Sequence, residues 1–401
     1  MQELCIQCKG RGFCGEPCKI LASLKQYQPK ISLEFSGTTP PEIFVGRYNY
    51  PEVFSGILAP AEHGDTESLS MPELWHKNKS SILDIMNFRS RMIYSRFTTS
   101  IKASNDKLKD KMQEFALASK PVDASFKLKK KPQTSIELDK HVAMLGNPAP
   151  LEKVSIDSNI KIEKKVDYLS NDSDVKATQA MNELYKSRIS VSNIIKILTA
   201  GLLGKKFQRK LVPTRWAVTA TDDTLSKAML ENIKHYPELQ EYQLFNANYL
   251  GNYYEILLMP SYWSFEVIEI SNQGYFGKGI QKEPAAWQDY EFFKGRKEYA
   301  NSVTGAYYAN RLAVAEYLEK IHRQASCLIF REVRKEYWAP CGVGILREAC
   351  REALQKKPEV FQNLKDAFNS MKTRFQLPVE FWSKKSILLK EKKTQKRLGE
   401  F

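Results

Sequence analysis

Hydrophobic and polar positions change their spacing several times along the chain. From about residue 29 to 64, short apolar and aromatic runs are broken by Pro and Gly, the pattern of β-strands and turns. Residues from about 80 to 116 read as more helical. Val191, Ile194, Ile195 and Leu198 recur at helical spacing, and so do Leu225, Ala228, Met229 and Ile233. Trp216, Val218 and Ala220 alternate as in a strand. Two strand-like runs, Tyr253 to Met259 and Trp263 to Ile270, are split by Pro260-Ser261, which suits a hairpin or adjacent strands. A long helix follows through Val314, Tyr317, Leu318, Ile321, Ala325 and Leu328, then a second through Leu346, Ala349, Cys350, Ala353 and Leu354.

These patterns predict an α+β protein: a mixed sheet core with flanking helices, a small N-terminal zinc knuckle and a flexible C-terminal tail. Between Leu117 and Val175 charged and small polar residues dominate, with four lysines in Lys127 to Lys131, so this stretch reads as a linker or extended arm. Five segments result. They are a C4-type zinc finger over 1–28, an α+β region over 29–116, the charged linker over 117–175, an α/β core over 176–382 and a basic tail over 383–401.

A length of 401 residues suits two or three such units, and a hydrophobic share of 42% is ample for packed cores. Charge adds a partner. Lys+Arg 61 against Asp+Glu 46 leaves +15, and a surplus of that size favours a polyanion, because each phosphate neutralised releases counterions. DNA is the expected polyanion; a basic enzyme with no nucleic-acid role stays open. No apolar run approaches a membrane span, and Met1 to Cys5 lacks the basic-then-apolar order of a signal peptide. A cytoplasmic, nucleoid-associated protein with reduced thiols is expected.

Reduced thiols make the cysteine spacing informative. Cys5-x2-Cys8-x5-Cys14-x3-Cys18 offers four thiolates to one metal, with Gly10, Gly12, Gly15 and Pro17 for the tight turns. Structural zinc fits, and an iron–sulfur cluster takes the same ligands. Four protein ligands leave no open position for catalysis. Cys327, Cys341 and Cys350 are scattered among apolar residues and read as core.

At the other end, Gln395-x-x-Leu398-x-x-Phe401 matches the Gln-x-x-aliphatic-x-x-aromatic box (the PIP motif) that docks on a DNA sliding clamp (PCNA). A spacing of three places Leu398 and Phe401 on one side of a single turn, facing one apolar pocket. Only one aromatic is present, since Glu400 precedes Phe401, so the box predicts modest affinity.

No P-loop, dinucleotide fingerprint or nucleophile elbow appears, and His63, His76, His141, His235 and His322 are dispersed. Gly46-Arg47-Tyr48-Asn49-Tyr50-Pro51 could grip a phosphate and stack a base, or end a strand with its tyrosines packed inward. Lys205, Lys206, Arg209, Lys210 and Arg215 read as a phosphate track. Asp222-Asp223 could hold Mg²⁺ for phosphoryl transfer or simply cap a helix. Arg311, Arg331 and Arg334 with Tyr307 and Tyr308 form a second basic-aromatic region. Convergence of Arg47, Arg215, Asp222, Asp223 and Arg311 on one pocket would mark a nuclease or phosphodiesterase; an adaptor without chemistry is the other alternative.

Several blocks resemble the archaeal Nre family of DNA-repair proteins. They are Phe44 to Pro51, Val212-Pro213-Thr214-Arg215-Trp216 through Asp223, Met259 to Trp263, Gly295-Arg296-Lys297 through Leu312, and Arg331-Glu332 to Gly342-Val343. The resemblance covers nearly the whole chain. It implies a zinc-finger N-terminus, a clamp-binding tail and a role in the response to DNA damage, and it assigns no reaction.

Overall fold

The computed structural model describes residues 5, 8, 10–13, 15, 17–27, 32–271 and 284–394. They fold as two compact units. The N-terminal unit runs to Leu225 and takes in Ala339–Gly344; the C-terminal unit holds Ser226–Trp338 and the chain from Ile345 onward. The α+β class expected from the sequence is what the chain adopts, with a mixed six-stranded sheet in each unit.

In the N-terminal unit the elements run α1 (Lys19–Tyr27), β1 (Glu34–Thr39), β2 (Ile43–Val45), β3 (Glu52–Pro60), α2 (Pro72–Lys77), α3 (Ile82–Ser90), β4 (Met92–Ser100), α4 (Lys107–Leu117), β5 (Val122–Leu128), β6 (Ile136–Glu137), β7 (Leu145–Gly146), β8 (Pro148–Ile156), α5 (Lys164–Asn171), α6 (Ala177–Lys186) and α7 (Val191–Thr199). Sheet order is β1-β5-β8-β4-β3-β2, and only the β4–β8 pair is parallel.

Residues 117–175, expected as a linker, are instead the middle of that sheet. Val122, Ala124, Phe126 and Leu128 alternate inward along β5, and Leu151 and Val154 of β8 join the same core. The acidic and basic residues that suggest an arm are the outward half of a period-two pattern, which average polarity conceals. Phe126 stacks on Phe35 at 4.8 Å and meets Phe115 of α4 at 6.2 Å. Arg89, wholly buried, ties three loops together: it donates to the Met144 carbonyl (2.9 Å), the Leu69 carbonyl (3.2 Å) and Glu42 (2.5 Å).

Helix α8 (Thr214–Ile233) begins in the N-terminal unit and ends in the C-terminal one. It corrects the strand expected at Trp216–Ala220: Pro213 precedes its first turn, a placement that suits helix starts, and the alternation there is only the edge of a helical face. The C-terminal unit continues with β9 (Tyr242–Tyr249), β10 (Asn252–Met259), β11 (Ser264–Ser271), β12 (Ala285–Glu291), α9 (Gly305–Ile321), β13 (Ser326–Val333), α10 (Val343–Gln355), β14 (Glu359–Phe361), α11 (Leu364–Met371), α12 (Val379–Lys385) and α13 (Ile387–Thr394). Its sheet runs β12-β11-β13-β10-β9-β14.

The two runs split by Pro260-Ser261 are strands as expected, but neither a hairpin nor neighbours. β13 lies between them, parallel to β11 and antiparallel to β10. All eight β13 residues are buried, the mark of a central strand, so Leu328 belongs to the sheet and α9 stops at Ile321.

The tail is also corrected. Within 383–394, α12 runs to Lys385 and α13 from Ile387, with Trp382, Leu388 and Leu389 buried. The buried Glu266 carboxylate accepts from the backbone amides of Ile387 (2.8 Å) and Leu388 (3.2 Å) and from the Ser386 hydroxyl, which places a negative charge at the α13 N-terminus. Of the lysines that suggest a mobile tail, Lys384, Lys385 and Lys390 are exposed on two helices that bury Trp382, Leu388 and Leu389. Residues 395–401 lie outside the described set.

Truncating Phe126 separates a sheet from a linker. Phe126→Ala should destabilise the protein by about 3–5 kcal/mol in denaturant unfolding, whereas a linker residue would change it by less than about 0.5 kcal/mol.

Candidate nucleic-acid interface

The loop from Gly46 to Pro51 joins β2 to β3 and turns its aromatic side chains outward. Gly46 N–H donates to the Phe54 carbonyl at 2.7 Å and Glu52 N–H to the Asn49 carbonyl at 2.9 Å, with Asn49 at φ 61° closing the turn. Asn tolerates this left-handed conformation better than most residues. Tyr48 is 66% exposed, and the Arg47 guanidinium lies 5.0 Å over its ring. Of the two readings open for this loop, inward-packed tyrosines are therefore overturned.

The first turn of α8 comes to the same place. Thr214 Oγ1 accepts from Val45 N–H at 2.9 Å, which seats the helix start against the end of β2. Trp216, 46% exposed, then meets Tyr50 at 5.3 Å with the rings tilted by 53°. The next residue back, Arg215, binds Asp139 at 2.7 Å, and Asp139 also accepts from His141 through the backbone N–H (2.7 Å) and Nδ1 (3.2 Å).

Electrostatics give each member a role. Burial alone would raise the Asp139 carboxyl, but the hydrogen bonds from His141 and the Arg215 charge hold it well below the usual carboxylate range. Burial lowers His141, and the nearby positive charges of Arg215 and Arg47 add to that against the pull of Asp139. The imidazole is thus neutral with Nδ1–H donating. Its side chain is fully buried and bonds Asp139, which in turn holds Arg215. What the surface presents is Arg47, Tyr48, Tyr50, Arg215 and Trp216: cations beside exposed rings, the composition that grips phosphates and stacks bases.

The other sequence candidates separate. Lys206 and Lys210 are exposed and Lys205 half-buried. Arg209 is withdrawn from the phosphate track, since its guanidinium donates to the Gly204, Ser170 and Asp172 carbonyls and holds the loop together. Asp222-Asp223 lies inside α8, not at its cap. Asp222 is fully buried, and both have partners within the fold. Consecutive helical side chains diverge by about 100°, so the pair does not converge on one Mg²⁺.

Arg311 belongs to the C-terminal unit and is spent there: buried, it binds Glu291 at 2.8 Å and Ser226 at 3.1 Å, while Glu291 accepts from Trp263 Nε1 at 3.1 Å. Arg331 is paired with Glu269, and Arg334 with Glu332 and over the Tyr253 ring at 3.5 Å. The second basic-aromatic region is a set of buried structural ion pairs. Cys327, Cys341 and Cys350 are buried as expected, with Cys327 on β13 rather than on a helix.

Cys5, Cys8 and Cys18 are described; Cys14 and the box residues Gln395, Leu398 and Phe401 lie outside the described residues. Among the described residues no three His, Cys, Asp or Glu side chains converge as a metal site. Around Cys8, burial raises the thiol, but backbone amides of Phe13, Gly12, Gly10 and Arg11 turned toward the sulfur lower it overall, the Phe13 N–H at 3.3 Å. Gly10 and Gly12 stand at φ 83° and 80°, the left-handed turns that aim those amides.

Matches to known proteins span the chain. The family models "Archaeal Nre, N-terminal" and "Archaeal Nre, C-terminal" match residues 13–276 and 291–401. This chain belongs to the archaeal Nre family. It is 37% identical over 400 residues to DNA repair protein NreB of Archaeoglobus fulgidus, covering 99% of both chains. It is 35% identical to NreA of the same organism over 92% of this chain and 93% of that one. To NreA of Haloferax volcanii it is 34% identical, over 84% and 83%. No solved structure matches it. Sequence reading missed Asp139 and His141 because they sit in the stretch taken for a linker. It placed Trp216 on a strand; the Pro-Thr pair just before it was the available helix-start signal.

The Asp139–His141 pair makes the N-terminal unit sensitive to acid. Both groups have folded-state values below their unfolded ones, so the unfolded chain takes up protons first. The His141 contribution is complete above about pH 6.5 and is lost as pH falls below it; that of Asp139 persists until below about pH 4. Between pH 7.5 and 5.5 the melting temperature of the unaltered chain should fall relative to that of His141→Gln; parallel curves for the two would place the proton uptake elsewhere.

Proposed function

We propose that this chain is a DNA-repair factor that the sliding clamp recruits through Gln395, Leu398 and Phe401 and that engages nucleic acid through its N-terminal unit. The observation that carries the repair role is end-to-end similarity at 37% identity to a protein named DNA repair protein NreB. Support for the clamp comes from the Gln-x-x-Leu-x-x-Phe spacing and from α13, which docks on Glu266 and delivers the chain to Gln395. Support for nucleic acid comes from the +15 charge and the exposed Arg47–Tyr48–Tyr50–Trp216 surface. Removing Gln395 to Phe401 should abolish capture of the chain by immobilised PCNA while leaving its melting temperature unchanged; undiminished capture would end the docking claim.

Structural zinc held by Cys5, Cys8, Cys14 and Cys18 belongs to the same proposal. The spacing, the glycine turns and the amides directed at Cys8 suit a thiolate, and such amides are the outer-sphere contacts that metal-bound sulfur receives. The metal would supply folding energy to a segment with little core. Elemental analysis should give one zinc per chain, with none after Cys8→Ser and Cys14→Ser together; iron and a visible absorption band would show a cluster instead.

A further inference from the structure

Away from the Arg47 loop, the N-terminal unit carries a groove that the outward side chains of β3 and β4 share with the loop after β5. The antiparallel register sets Phe54 opposite Thr98 and Gly56 opposite Arg96, so Phe54 and Arg96 are diagonal neighbours on one face. A Cβ on Gly56 would stand 2.8 Å from the Arg96 Cα, so only glycine allows this approach of the strands. The Arg96 guanidinium lies 4.5 Å over the Phe54 ring, and that ring remains 41% exposed. An apolar ring kept in solvent under a cation is a platform for a further planar group.

Lysines form the opposite wall. β8 pins the loop at both ends: Lys129 N–H donates to the Pro150 carbonyl at 2.8 Å and Gln133 N–H to the Pro148 carbonyl at 3.1 Å. Held so, Lys129, Lys130 and Lys131 line a cavity of about 490 Å³ together with Arg96 and Phe54. All three lysines are exposed, and among the described residues they and Arg96 enter no ion pair.

Arg96 also borders a second cavity of about 310 Å³, lined with Tyr94, Gln133, Ser135 and Glu137. Tyr94 is buried there, 2% exposed, and its hydroxyl has no hydrogen-bond partner among the described residues. A buried hydroxyl left unsatisfied costs about 1–3 kcal/mol, so a ligand that supplies its partner is favoured. Glu137 lies near enough to raise the phenol further after burial has done so. A carboxylate, an amide and a hydroxyl around one small cavity can address the polar edge of a nucleobase.

Resting on the nucleic-acid reading above, we infer that this double cavity binds a single-stranded nucleic-acid segment. Phosphates lie along Lys129–Lys131 and Arg96, one base stacks at Phe54, and a neighbouring base enters the Tyr94 cavity. An acidic peptide would satisfy the lysines but would leave the Phe54 platform and the Tyr94 hydroxyl without a role. The lysine run explains itself the same way: Lys127 on β5 is paired with Glu152, whereas Lys129, Lys130 and Lys131 repel one another in the loop, a cost that a bound polyanion removes.

Anisotropy titrations of the full chain with a fluorescent single-stranded DNA oligonucleotide, at several salt concentrations, test this. Lys129→Gln, Lys130→Gln and Lys131→Gln together should weaken binding at least tenfold and reduce the salt slope by about two, at roughly 0.7 for each phosphate no longer neutralised. Phe54→Ala should weaken it roughly fivefold to a hundredfold, the equivalent of stacking one base, with the salt slope unchanged. Tyr94→Phe should weaken it severalfold without lowering the melting temperature, because the hydroxyl has no internal partner to forfeit. If the unaltered chain binds the oligonucleotide and all three variants bind equally well, this site is wrong and the nucleic-acid reading stands. If the unaltered chain does not bind, both fall. Displacement of the oligonucleotide by poly-glutamate at matched charge would overturn the occupant in favour of an acidic peptide.

Discussion

Strand β8 holds the N-terminal unit together. It pairs antiparallel with β5 on one edge and parallel with β4 on the other, and no other strand among the described residues joins the β1–β5 pair to the β4–β3–β2 group. Without it the unit would hold two small sheets, each too narrow to cover a core. Its prolines carry a second consequence. Pro148 and Pro150 cannot donate, but their carbonyls accept from Gln133 and Lys129, so the strand that completes the sheet also fixes the lysine loop beside Arg96. Fold and candidate groove share one set of hydrogen bonds.

The C-terminal unit pairs several of its arginines internally. Arg311 with Glu291, Arg331 with Glu269 and Arg374 with Glu255 are all buried or partly so. Breaking one such pair typically costs about 3–5 kcal/mol, because the remaining charge stays buried. Burial raises Glu255 to about 7 despite the hydrogen bonds and charge of Arg374. Several family hallmarks in this unit are therefore structural: Arg296 binds Asp289, whose other oxygen accepts from Ser302 and Val303 and shapes the entry to α9. Among the described residues, Arg47 and Lys129–Lys131 of the N-terminal unit are exposed cations that enter no ion pair and stand near exposed rings.

Much of the fold was legible where periodicity was strong. The Val191 helix, the β10 and β11 runs and the Leu346 helix lie where spacing put them, because each buries a continuous face. Strand order was not legible: β13 enters between β10 and β11 from sixty residues away, and pairing partners leave no trace in local spacing. The 117–175 stretch failed for a different reason. Its inward residues alternate along β5 and, with one irregularity, along β8, but lysines and acids on the outward face outweigh them in any average, and a linker has the same composition. Of the candidate interface, Arg47, Tyr48, Tyr50 and Arg215 were read from motif chemistry. Their association with Trp216, Asp139 and His141 was not, since it depends on a helix start docking against a distant strand end.

If nucleic acid meets the N-terminal unit on the surface β8 organises, backbone amides there should slow their exchange when it binds. Hydrogen exchange followed by mass spectrometry, with and without a saturating single-stranded oligonucleotide, reads this peptide by peptide. Added protection is expected in peptides covering 92–100 and 129–137, with little change in the β10–β13 core, which is already closed. Protection confined to the C-terminal unit, with the 129–137 amides exchanging as in the free protein, would contradict it.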